Sequence, residues 1–64
     1  MQYVIYNQEI GGFLLPIVAG RNLMSPEAYT QDSTIVQYSS INEVNDIMRK
    51  IPQPIRRRLQ ILPV

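Results

Sequence analysis

The sequence contains no cysteine, no histidine and no tryptophan, and charged residues make up only 17% of its 64 positions. Without cysteine no disulfide can constrain the chain, and with histidine also missing the usual zinc-ligand sets are gone. Acid–base catalysis most often uses histidine, and an activated nucleophile needs a neighbouring base, so the same two absences remove the commonest catalytic constellations. The five acids, Glu9, Glu27, Asp32, Glu43 and Asp46, are scattered, with no paired-carboxylate spacing. Gly11-Gly12 does not begin a phosphate loop, because neither the G-x-x-x-x-G-K-[ST] spacing nor a following lysine is present. So small a chain has little room for a ligand pocket of roughly 300 Å³ or more. These residues point to a non-enzymatic protein that binds no cofactor and no metal.

Long apolar runs are also lacking. The longest stretch, residues 10–20 (IGGFLLPIVAG), is interrupted by Pro16 and is about half the ~20 residues that span a bilayer. Residues 1–9 hold no lysine or arginine, so they do not resemble the basic start of a signal peptide. The chain reads as complete, soluble and cytoplasmic, with no membrane contact. Its hydrophobic share of 45% is too high for intrinsic disorder. A domain this small buries only about 60% of the surface its unfolded chain exposes. Lacking a disulfide or metal, it must either pack its core tightly or lean on a partner surface.

What is present suggests a single α+β domain over residues 1–64. Residues 2–6 (QYVIY) and 13–18 (FLLPIV) are β-branched or aromatic and read as two strands, joined through Asn7–Gly12 by a loop of four or five residues. Pro16 cannot donate to a ladder, so the second strand should be an edge there or end there. Ser25-Pro26-Glu27 has the N-cap, N1 and first-turn residues of a short helix over 26–31, with Met24 and Tyr29 at the spacing of a hydrophobic staple. Residues 34–38 (TIVQY) suggest a third strand. Ser40-Ile41-Asn42-Glu43 matches a capping box, and Ile41, Val44, Ile47, Met48 and Ile51 follow at helical spacing. That predicts the main helix over 41–51, with an Asp46–Lys50 pair on its outer side and Pro52 as its stop. The expected architecture is a three-stranded antiparallel sheet packed by this helix. The basic C-terminal stretch, residues 54–62, reads as helix or strand, and the helix is slightly favoured because it leaves the arginines on one arc.

Charge is unevenly placed. Residues 1–48 hold one base, Arg21, against five acids, for a net −4, whereas 49–64 hold Arg49, Lys50, Arg56, Arg57 and Arg58 and no acid, for a net +5. Such an end fits contact with phosphates, with arginine hot spots of a protein interface, or with the acidic body of the same chain. Tyr6 and Tyr29 are the tyrosines best suited to anchor a partner, while Tyr3 and Tyr38 suit core and edge packing. Both faces of the first two strands are apolar, yet one helix stripe covers only one face. The other needs the tail, a second protomer or a target protein. The partner-binding set is therefore Arg49, Lys50, Arg56, Arg57, Arg58, Tyr6 and Tyr29.

Tyr3-Val4-Ile5, Gly12-Phe13-Leu14, Tyr38-Ser39-Ser40 and the helix from Val44 to Ile51 resemble small ββ(β)α proteins encoded by phages and mobile elements. Those proteins run as YVI…G-[FY]-L…Y-S-S-x-x-[EA]…I. The resemblance spans about two-thirds of the chain and leaves out the basic tail. It implies a phage protein that binds and blocks a host or defence factor, in the manner of an anti-CRISPR, the target being a larger protein or a ribonucleoprotein. It carries over no catalytic residue. Two alternatives stand beside it: a small nucleic-acid-binding protein using the arginine cluster, and a structural or assembly subunit working as a homodimer or larger homo-oligomer.

Overall fold

A computed structural model describes residues 1–64. The sheet is four-stranded and antiparallel, in the order β3-β2-β1-β4, with β1 at Tyr3–Asn7, β2 at Gly12–Leu14, β3 at Tyr29–Thr30 and β4 at Leu59–Pro63. The main helix, α1, spans Ile41–Arg49, and a single turn, α2, spans Gln53–Arg56. The α+β class holds, but the sheet has four strands where the sequence suggested three.

Hydrogen-bonding arithmetic around β1 explains the difference. Along β2 the register sets Tyr6 opposite Phe13 and Asn7 opposite Gly12, so continuing it would place Pro16 opposite Tyr3. Pro16 has no N–H to give, and β2 stops at Leu14 instead of running to residue 18. Tyr3 pairs with Tyr38 instead, through reciprocal backbone bonds of 2.7 and 2.8 Å. That bridge is all the sheet takes from residues 34–38. Asp32 accepts from the backbone N–H of Thr34 at 3.0 Å and draws Ser33–Ile35 into a 3-10 turn, so the local cap overrides the β preference of Thr34-Ile35-Val36. Bonds from the Thr34 side chain and backbone hold the Asp32 carboxyl below the usual carboxylate range.

The excursion after β2 follows the same logic. Ser25 caps and Pro26 begins a turn as expected, but it is a 3-10 turn of three residues, Pro26–Ala28, not a helix to residue 31. Tyr29 and Thr30 then pair with Leu14 and Phe13 as β3. The tail uses both expected forms in succession. α2 occupies residues 53–56, and residues 59–63 then run antiparallel to the whole of β1, from Asn7 opposite Leu59 to Tyr3 opposite Pro63.

The core lies between α1 and one face of the sheet: Ile5, Leu14, Ala28, Tyr29, Val44, Ile51 and Leu59 form one buried cluster. Val44 and Ile51 of the expected helical stripe are fully enclosed, with Ile47 and Met48 packed beside them. Ile41, at the first turn, stays 40% exposed, and the helix ends at Arg49 rather than 51. Ser40 caps the helix by accepting from the Asn42 N–H at 3.2 Å. Asp46 pairs with Arg49 at 2.7 Å, three residues on, in place of the expected Lys50.

At the hairpin, the Asn7 side chain accepts from Glu9 and Ile10 N–H, at 2.9 and 3.0 Å, and Gly11 turns back at φ +81°. Gly12 runs so close to β3 that a Cβ there would sit 2.9 Å from Tyr29 Cβ.

Candidate functional site

The five C-terminal cations do not form one cluster. The Arg58 carbonyl accepts from Gln8 N–H at 3.2 Å, which fixes the Arg56–Arg58 turn beside the far end of β1. Lys50 lines a groove with Tyr38, and Tyr38 is bridged to Tyr3 at the near end. At about 3.3 Å per residue the two ends of β1 are some 13 Å apart. Two of the five are also neutralised within the chain. Arg58 Nε donates to Glu9 at 2.6 Å while its Nη1 donates to the Pro54 carbonyl, and Arg49 pairs with Asp46. Both ion pairs are solvent-exposed, so each stabilises the fold by at most about 1 kcal/mol. They leave Arg56, Arg57 and Lys50 as the cations of this region without an ion pair.

The tyrosines separate as cleanly. Tyr29, expected to be available to a partner, is only 8% exposed and belongs to the core. Its hydroxyl donates to the Leu23 carbonyl at 2.7 Å and accepts from Asn7 Nδ2 at 3.0 Å, so it ties the excursion to the hairpin. Asn7 is itself fully buried, and no buried side-chain polar atom lacks a partner.

Tyr6 sits on the other face. In a strand alternate residues share a face, so Tyr3, Ile5 and Asn7 look toward α1 while Val4 and Tyr6 look away. The register adds Phe13 and Gln60 opposite Tyr6, and Leu62 opposite Val4. The rings of Tyr6 and Phe13 pack with centroids 5.3 Å apart and planes tilted by 57°. Both residues, and Leu62, are half-buried. This face is not bare throughout, because Val4 is completely enclosed, and with Val36 it is buried outside the cluster beneath α1. What it offers is a rim of partly exposed apolar groups around a closed centre. Phe13 stands beside Tyr6 here although the sequence reading did not single it out; the hairpin spacing held the signal, since a four-residue loop sets residues 6 and 13 opposite one another.

Despite the small size of the chain, one sizeable concavity exists, a groove of about 370 Å³ lined by Pro16, Ile17, Tyr38, Ile47 and Lys50. Burial, and secondarily the nearby Glu43 carboxylate, push the Tyr38 phenol above its ordinary range. No helix is long and apolar enough to cross a membrane.

Comparison with protein-family models, with curated proteins and with solved structures finds no match to this chain.

Proposed function

We propose that this chain is a non-enzymatic protein-binding module that docks on a larger protein through the sheet face opposite α1. The reading rests chiefly on the Tyr6–Phe13 pair: two packed rings, partly exposed, on the face turned away from α1. Aromatic anchors surrounded by apolar and uncharged neighbours are the usual energetic centre of a protein interface, with arginine next in rank. Here Leu62 and Gln60 neighbour the rings, and Arg56 and Arg57 lie at the end of the sheet. A module without chemistry of its own acts by occupying a surface. Inhibition of the protein it covers is the form suggested by the sequence resemblance to phage-encoded proteins.

Phosphate binding is the weaker alternative. Three unpaired cations divided between two ends of β1 would release about three counterions at most, where the five of the sequence would have released four or five.

Affinity capture with the wild-type protein and with folded Tyr6→Ala and Phe13→Ala variants tests the reading. The expected result is a defined partner, enriched by the wild type and lost by both variants at unchanged circular dichroism. A captured set identical for all three proteins, or retention on a polyanion column that falls steeply with salt, would overturn it.

A further inference from the structure

Strand β4 ends the sheet on the side away from β2, and its outer edge carries unused backbone groups. Hydrogen bonds in an antiparallel ladder alternate, so every second residue turns both its N–H and C=O toward the neighbouring strand and the others turn theirs away. Gln8 N–H bonds the Arg58 carbonyl, and Val64 N–H bonds the Gln2 carbonyl at 2.8 Å. With Tyr6 opposite Gln60 and Val4 opposite Leu62, residues 58, 60, 62 and 64 are the set that faces β1. Leu59 and Ile61 therefore present N–H and C=O outward, and neither group meets a partner in the chain.

Protected edges are short, charged, bulged or interrupted by proline. The opposite edge, β3, is two residues long. β4 is five long, carries no charge from Leu59 to Leu62, and has proline only at Pro63, its last position.

We propose that β4 is a strand-addition site for an extended acidic segment of another protein. The inference rests on reading the chain as a binding module and names what it binds. Charge selects the occupant. Arg56 and Arg57 stand unpaired where the chain enters β4, while the neighbouring Arg58 already has Glu9. Leu59–Val64 has no acidic side chain, so a second copy would bring no Asp or Glu to the arginines. An incoming strand with carboxylates at the arginine end would gain backbone bonds from Leu59 and Ile61, and charge-assisted bonds from Arg56 and Arg57.

The test is amide-resolved NMR of the full chain titrated with a capped peptide of alternating valine and glutamate. The expected result is slowed exchange at the Leu59 and Ile61 amides, with affinity falling roughly tenfold in an Arg56→Ala/Arg57→Ala variant, the equivalent of one charge-assisted bond. Ile61→Pro removes an outward N–H without touching the β1 ladder, and it should abolish the remaining protection at the Leu59 amide. A valine–lysine peptide should fail to bind. Unchanged exchange at Leu59 and Ile61 overturns the inference. If shifts then fall on Tyr6 and Phe13 alone, the sheet-face reading survives without it. Protection that grows with protein concentration in the absence of peptide means a second copy takes the edge, and equal protection by single-stranded DNA means any polyanion does. Either result also overturns it.

Discussion

Asn7 shows how much of the local geometry can depend on one side chain. Its carbonyl oxygen closes the β1–β2 turn and its amide group reaches the Tyr29 hydroxyl, all without exposure to solvent. Asn7→Ala strips partners from two backbone N–H groups and from Tyr29 at once. We expect a loss of about 2–3 kcal/mol, read as a drop in Tm of roughly 10–20 °C. Tyr38 gives a prediction of another kind. Its phenol ionises at higher pH folded than unfolded, so the neutral form contributes stability that is present below pH 10, the ordinary tyrosine value, and is lost as pH rises beyond it. In an NMR titration the Tyr38 ring signals should move at a pH above the ordinary tyrosine value, and Tyr38→Phe should flatten the alkaline decline in stability. The turn role of Asn7 was legible in the sequence, whereas the burial of Tyr29 was not. Its two hydroxyl partners, Leu23 and Asn7, lie 6 and 22 residues away, and no local pattern reports them.

Among the elements, α1 was the most readable, because a cap, a stripe and a stop all agree over one short stretch. Ser40→Ala should therefore cost about 0.5–2 kcal/mol, measurable as a shift in urea midpoint at constant m-value. The strands were harder to read. Thr34-Ile35-Val36 has the composition of a strand, yet the Asp32 cap holds it in a turn, and a β preference carries little weight without a neighbour to pair with. β3 is two residues long and has no periodicity to read. The tail was ambiguous for a physical reason. Pro54 supports a helical turn, while alternation from Leu59 onward supports a strand, and the chain accommodates both by switching after Arg57. The basic site was legible as composition only. Its division between the two ends of β1 depends on strand pairing.

At the scale of the molecule, 32 backbone–backbone hydrogen bonds serve 64 residues, whereas a domain of this length usually has about 43. The shortfall is not looseness, since the radius of gyration of 10.6 Å matches the roughly 10.7 Å of a compact chain this long. It reflects the irregular loops through residues 15–28 and 31–40, which place much of the stability in the β1–β4 ladder. Removal of residues 59–64 should abolish cooperative thermal unfolding altogether, as followed by circular dichroism. That outcome would set the tail apart from an appended charged arm, whose deletion leaves a melting transition in place.

The pairing of the first strand with the last also governs how the molecule comes into being. Tyr3 must wait for Pro63, its partner 60 residues further along the chain. Closing so wide a loop before the β1–β4 ladder can form slows folding relative to a domain built from local contacts.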